Sequence, residues 1–385
     1  MNKPDYSGGS ILNLVSSIET AFGGRSGYAP LRLLSPKELK QVKNVVLIVV
    51  DGLGFEFLQK HGKNSSFFHF LRGKMTSVFP TSTSSAIPSF LTGLSPQEHG
   101  MLAWYMFLWE FGSVVIPLPY VLRLEKKVSL QEKIPIQNVF RLDWLTNRLK
   151  TKSFIIQHRD YFDSDFSSTC AGKAKRIGFK TRKDFFSSIQ KAVGSGKQRK
   201  FVYAYYDKID SLCHKFGTDS RQVVSHFRQL DRDFSSFLDS IEGTNTIVIV
   251  TADHGLIDVP KKKTIDLNDH PKLKEILATP LSGEHRFSFC SVRLGKEKAF
   301  VKYVKSRFGR SCDLFKSKEL AKKGLFGRFT VHPHFYERIG DYTLLMKTGW
   351  GLNSVPDYEK PKHHISHHGG LSKQELWVPL IVAKK

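Results

Sequence analysis

Six apolar residues in a row, Val45, Val46, Leu47, Ile48, Val49 and Val50, run without a charge into Asp51-Gly52. Most are β-branched, so the stretch reads as a strand buried on both faces, the kind found inside a parallel sheet. Asp51 then stands at the carboxyl end of that strand, the edge at which open α/β sheets hold their ligands. Gly52 and Gly54 let the chain turn tightly beside it. An Asp-Gly after a strand is also an ordinary turn, and what separates the two readings is whether later strands end in similar chemistry.

Two of them do. An apolar strand at 201–206 runs into Asp207-Lys208-Ile209-Asp210-Ser211-Leu212-Cys213-His214, and one at 246–250 delivers Thr251-Ala252-Asp253-His254-Gly255. A shorter strand at 75–79 leads into Pro80-Thr81-Ser82-Thr83-Ser84-Ser85 and then an apolar helix at 87–94. Hydroxyls there can cap the helix, or can place a nucleophile where the helix dipole favours an anion. Both roles stand open on local sequence alone.

Helices at 10–22, 184–193 and 219–241 and strands at 153–157 and 377–383 complete an alternation of strand and helix. The expected fold class is α/β, with a mostly parallel central sheet and helices on both faces. From 256 to 361 the pattern turns mixed, with a strand at 287–293, a helix at 297–308 and a strand at 342–346. Residues 1–255 are therefore expected as the core, 256–361 as a small inserted α+β cap, and 362–385 as the return to the core with the final strand. That return carries His363-His364-Ile365-Ser366-His367-His368-Gly369-Gly370.

At 385 residues the chain can bury a large core. Its 59 Lys and Arg against 35 Asp and Glu give +24, which favours anionic partners. The cations are spread, however, and the clusters Lys197-Gln198-Arg199-Lys200 and Lys261-Lys262-Lys263 do not interleave aromatics, so nucleic acid is not expected as the partner. Cys170, Cys213, Cys290 and Cys312 form no Cys-x-x-Cys pair, and residues 1–10 are polar and glycine-rich rather than leader-like. A reducing, cytoplasmic setting is expected. Residues 101–122 approach a membrane span in length, but Glu110, Gly112, Pro117 and Pro119 interrupt them. Their aromatics, Trp104, Tyr105, Phe107, Trp109 and Phe111, read either as core packing or as a pocket lining.

Asp51, Asp210, His214, Asp253, His254 and His368 now stand at strand ends or in the loops that follow them. Mixed carboxylate and imidazole donors at this density suit zinc or a similar divalent ion.

In this order, Asp51-Gly52, the block 81–93, Asp210-x-x-x-His214, Asp253-His254-Gly255 and His368-Gly369-Gly370 resemble the alkaline phosphatase superfamily, within it the type I phosphodiesterase/nucleotide pyrophosphatase family. The resemblance covers about 44–255 and 363 to the last residue. It implies an alkaline-phosphatase-like core and two divalent metal ions, with zinc the expected metal. One would be held by Asp210, His214 and His368, the other by Asp51, Asp253, His254 and the nucleophile. The family spacing, nine residues before the Thr of Thr92-Gly93, selects Thr83 over Thr81, Ser82, Ser84 and Ser85. The implied activity is hydrolysis of a phosphodiester or pyrophosphate bond in a small phosphate ester, such as a nucleotide, through a phospho-threonine intermediate.

The chain also departs from that family. Trp104 stands where better-known members have an Asn that binds the phosphoryl group, and Ser84-Ser85-Ala86 replaces their Phe-Pro-Asn. Trp104 is expected at the substrate instead, and Arg286, in Gly283-Glu284-His285-Arg286, as a phosphate contact or a cap ion pair. A phosphomonoesterase or phosphonate hydrolase of the same superfamily is the alternative enzyme. A basic nucleic-acid-binding protein with a vestigial site is the alternative of another class.

Overall fold

A computed structural model describes residues 2–356, 358–359 and 363–385. Its centre is a seven-stranded sheet built from β1 (Asn44–Val50), β2 (Leu71–Thr76), β3 (Lys152–His158), β4 (Lys175–Phe179), β5 (Lys200–Tyr206), β6 (Thr246–Thr251) and β7 (Trp377–Lys384). The strand order is β2-β7-β6-β1-β5-β3-β4. Within it β1 pairs parallel with β5 and β6, whereas β7 runs antiparallel to both β2 and β6. The sheet is thus mostly parallel, which makes the class α/β.

All seven residues of β1 are buried, as are all seven of β5 and all six of β6. Strands so placed have no solvent face, which is why their sequences show unbroken apolar runs rather than alternation. The in-register pairing Val49↔Tyr205 and Val49↔Thr251 carries Asp51 and the loops after Tyr206 and Thr251 to one edge.

The longer helices of the core include α1 (Ile11–Ala21), α2 (Thr83–Thr92), α3 (Arg182–Gly194), α4 (Lys208–Phe216) and α5 (Arg221–Ser240). The single helix expected at 219–241 starts only at Arg221, capped by the Ser220 side chain, and Asp219 lies outside it. Asp184 does not cap α3; Thr181 does, with Asp184 reaching back to its backbone in a capping box. Strand β2 begins four residues earlier than expected and ends at Thr76. Its exposed first half alternates polar and apolar residues, which gives no apolar run to read.

Beyond β6 the chain forms a second, four-stranded antiparallel sheet, in the order Ser282–Glu284, Phe287–Cys290, Tyr342–Met346, Cys312–Lys316, with the helix Glu297–Phe308 against it. Phe300, Val304, Phe308, Leu344 and Met346 share an apolar cluster of their own, while Phe287, Phe289 and Leu345 pack into the main core. Residues 101–122 fold into a three-stranded antiparallel sheet, Met106–Leu108, Ser113–Ile116 and Val121–Leu122. Among the described residues no helix is long and apolar enough to cross a membrane.

The first turn of α2 rests on a buried imidazole. His99 faces the Ser85 carbonyl with Nε2 at 3.1 Å and accepts the Met101 N–H on Nδ1 at 3.0 Å. Burial lowers its pKa to about 3. A histidine whose folded pKa lies below the unfolded value contributes stability above about 6.5 that is lost as pH falls towards 3. By pH 5 the loss from this one residue is ~2 kcal/mol. Melting temperatures measured from pH 7 to 4 are therefore expected to fall on acidification, and His99→Gln is expected to flatten part of that fall.

Candidate active site

Asp51 follows the last residue of β1 directly, its N–H still bonded to the Tyr206 carbonyl at 2.8 Å and its own carbonyl accepting the Asp210 N–H at 3.1 Å. Gly52 then turns with φ +76°, and a Cβ there would lie 2.6 Å from Leu256 Cδ1 and 3.0 Å from Asp210 Cα. Only glycine lets the β1, β5 and β6 loops come this close. The result is that Asp51, Asp253 and His254 are nearly fully buried, while Asp210, on the first turn of α4, and His368 border a cleft of about 330 Å³.

His254 is the hub. Its Nε2 lies 3.4 Å from Asp51 Oδ1, 3.4 Å from Asp253 Oδ2 and 3.1 Å from Thr83 Oγ1. Its ring stacks on that of His368 with centroids 3.8 Å apart. Donor atoms of Asp51, Asp253 and His254 lie within 4.8 Å of one another, as do those of Asp210, His254 and His368. His214 sits one step out from the second group, with Nε2 3.3 Å from Asp210 Oδ2 and its ring 5.2 Å from His368. The structure so brings together all six expected donors and Thr83, with His254 common to both clusters.

Each of the three imidazoles turns Nδ1 to a backbone carbonyl: His214 to Ser366 at 2.6 Å, His254 to Gly255 at 3.2 Å and His368 to Thr81 at 3.1 Å. A carbonyl can only accept, so Nδ1 carries the proton and Nε2 presents its lone pair inward. The carboxylates show the complementary pattern. Asp51 Oδ2 takes a hydrogen bond from Tyr205 Oη, while Asp51 Oδ1, Asp210 Oδ1 and Asp253 Oδ2 are buried without a hydrogen-bond partner among the described residues. Burial, then Asp253 and Asp210, push the Asp51 carboxyl well above the usual range. Burial acts the same way on Asp210, but His214 and His368 outweigh it and hold that carboxyl low. Buried carboxylate oxygens facing one another without donors are costly unless cations compensate them. With three inward lone pairs on nitrogen, this donor set fits divalent metal ions.

Thr83 is the first residue of α2 and Ser82 its cap, the Ser82 hydroxyl accepting the Ser84 N–H at 3.3 Å. Neighbouring hydroxyls thus differ in role: Ser82 caps the start of the helix and Thr83 reaches the donor cluster. Of the aromatics, Trp104 and Tyr105 line the cleft and Phe111 packs against the core, while Trp109 is 57% exposed and takes neither expected role.

Arg286 is not a phosphate contact. Its Nε and Nη2 bond Glu375 at 3.0 and 3.2 Å, Nη2 also bonds the Met346 carbonyl, and Nη1 bonds the carbonyls of Lys347 and Trp350. All five donors are committed and the residue is 1% exposed. Of the two roles open for it, the ion pair is the one the structure holds. The carboxylate two residues earlier is a site residue that sequence reasoning misses: Glu284 lines the cleft and approaches His368 Nδ1 at 3.2 Å. Its only sequence signal is a charge directly after a glycine, beside an arginine that draws the reading instead.

The sequence model of the family described as type I phosphodiesterase / nucleotide pyrophosphatase matches residues 45–371. The chain belongs to this family. Type I phosphodiesterases form part of the alkaline phosphatase superfamily, and the matched span takes in every donor named above. Rat ectonucleotide pyrophosphatase/phosphodiesterase family member 7 is 26% identical over 198 residues, 49% of this chain and 43% of that protein. The mouse protein of the same name is 25% identical over an equal length. The match therefore spans less than half of these curated relatives. Among solved structures, murine ectonucleotide pyrophosphatase/phosphodiesterase 5 superposes with a TM-score of 0.66 over 87% of both chains at 17% identity. Phosphonoacetate hydrolase from Sinorhizobium meliloti, in complex with phosphonoacetate, gives 0.63 over 89% of this chain and 90% of its own at 15% identity. At these identities the likeness is one of fold.

Proposed function

We propose that this type I phosphodiesterase family member hydrolyses a phosphodiester or pyrophosphate bond, using two divalent ions and Thr83 as nucleophile. One observation carries the reading: three partnerless carboxylate oxygens and the inward Nε2 atoms of His254 and His368 converge beside Thr83 Oγ1 on the floor of a cleft. Asp51, Asp253 and His254 would hold one ion together with Thr83; Asp210 and His368, joined by His214, would hold the other. Zinc suits this mixture of nitrogen and carboxylate donors. Bound there, the ions would supply a lowered pKa for the Thr83 hydroxyl and for water, and one net positive charge over the three aspartates.

The chain's own residues do the rest. The α2 N-terminus directs its dipole at the phosphoryl oxygens, favouring the anion where Thr83 stands. In the first half-reaction the Thr83 Oγ–P bond forms as the bond from phosphorus to the leaving oxygen breaks, and the hydroxyl's proton departs with the leaving group as its alcohol or phosphate. In the second, water takes the phosphoryl group and the hydroxyl is regenerated. Trp104 and Tyr105 would receive the organic part of the substrate, a nucleotide base being one flat group that fits such walls; murine ectonucleotide pyrophosphatase/phosphodiesterase 5 was solved in an inactive form with AMP. Residues 256–361 would act as the cap that closes this wall. The four cysteines, buried and unpaired, suit a reducing cytoplasm.

Rates on bis-p-nitrophenyl phosphate and p-nitrophenyl phosphate, measured on one preparation, test the substrate class. Diester turnover exceeding monoester turnover by about tenfold or more is expected. The reverse order would make the protein a phosphomonoesterase of the superfamily.

A further inference from the structure

Glu284 is a carboxylate of the cleft that the proposed chemistry leaves unused. Its two oxygens reach three separate parts of the site. Oε2 lies 3.2 Å from His368 Nδ1. Oε1 accepts the Trp104 N–H at 2.9 Å and also the hydroxyl of Ser82, the residue before Thr83.

The hairpin that carries Glu284 is fixed to the cleft wall by its neighbours. The Gly283 N–H bonds the Tyr105 carbonyl at 2.8 Å, and the Ser282 hydroxyl accepts the Phe107 N–H at 2.7 Å. Gly283 itself has φ +136°, and a Cβ there would lie 2.5 Å from the Phe287 carbonyl oxygen. The position of the carboxylate is therefore set from behind by backbone, not left to a flexible loop.

At His368, Glu284 adds a second acceptor beside the Thr81 carbonyl. The imidazole Nδ1 is approached by the Thr81 carbonyl and by Glu284 Oε2, and the carbonyl, which can only accept, requires the proton to stand on Nδ1. That leaves Nε2, 3.9 Å from Asp210 Oδ1, as the donor atom. Resting on the two-ion reading above, we propose that Glu284 is a positioning residue: with the Thr81 carbonyl it sets the ring angle of His368, and through Ser82 it ties that ligand to the turn bearing the nucleophile. A carboxylate behind a ligating imidazole also raises its basicity.

The test is a zinc titration of the whole purified protein in competition with a chromophoric chelator. Wild type is expected to bind two ions. In Glu284→Gln the amide offers one acceptor where the carboxylate offers two, and His368, the Trp104 N–H and the Ser82 hydroxyl compete for it. One of the two ions is expected to bind about 10- to 100-fold more weakly while the other keeps its affinity. The metal-free variant should melt within a few degrees of metal-free wild type. Two ions at unchanged affinity in the variant would overturn the role of Glu284 alone. Both ions weakened together with a large drop in metal-free melting would also overturn it, making the residue a fastener of the fold. Wild type that binds no zinc would overturn the two-ion reading beneath it, before any variant is made. If the Gln variant does not fold, Glu284→Asp carries the same test, with weakening of the same single ion expected.

Discussion

Thr83→Ala is expected to reduce hydrolysis of bis-p-nitrophenyl phosphate by at least about a thousandfold, with the melting temperature of the metal-free protein close to wild type. The expectation comes from position. Thr83 Oγ1 lies 3.1 Å from His254 Nε2, at the point where the donor cluster opens to the cleft, whereas among the described residues the buried hydroxyls of Ser84 and Ser85 find no partner and do not line the cleft. Thr81 is spent on the loop of His368, donating to the Gly370 carbonyl at 2.8 Å and accepting the Gly369 N–H at 3.1 Å. Ser82 is committed to the α2 cap and to Glu284. Deleting one methyl and one hydroxyl at the cleft floor costs the fold little. Turnover of the variant within a few-fold of wild type would show that another group attacks phosphorus.

Chelation gives the second large effect. Stripping metal from the purified protein is expected to abolish diester hydrolysis, and returning zinc to restore most of it, with elemental analysis showing close to two ions per chain. Metal-free protein is also expected to melt lower, because Asp51 Oδ1, Asp210 Oδ1 and Asp253 Oδ2 then face one another without compensating charge. Protein that purifies without metal, hydrolyses neither ester and cannot be rescued by zinc would favour the binding-protein alternative, and DNA or RNA binding that weakens with salt would then identify its partner.

How far the sequence can be read differs from element to element, and the reasons are physical. Strands β1, β5 and β6 are buried on both faces, so unbroken apolar runs announce them and place Asp51, Asp210, Asp253 and His254 at one edge. Strand β2 is half exposed, and its pattern places it too late in the chain. The helix at Glu297–Phe308 falls where expected because it has one apolar face and a glycine after it, and the strand at Tyr342–Met346 because it is a short apolar run buried throughout. Sequence order cannot show which carboxylate of Gly283-Glu284-His285-Arg286 and its surroundings meets which cation. Arg286 finds Glu375, which is 89 positions away, and this leaves Glu284 to turn towards His368. Nor can spacing alone reveal that His254 stands within reach of both donor groups, because that depends on how closely Gly52 lets the three loops approach.

The place of β7 has a consequence for the order in which the molecule can be made. This strand lies between β2 and β6, yet the whole second sheet separates it from β6 along the chain. Until it arrives, a growing chain holds an open slot about 10 Å wide, with the hydrogen-bonding edges of two strands facing each other across it. His368 enters just ahead of the strand that fills the slot. Closure of the sheet and delivery of His368 are therefore linked by chain order, and a chain halted before residue 377 would leave two strand edges exposed.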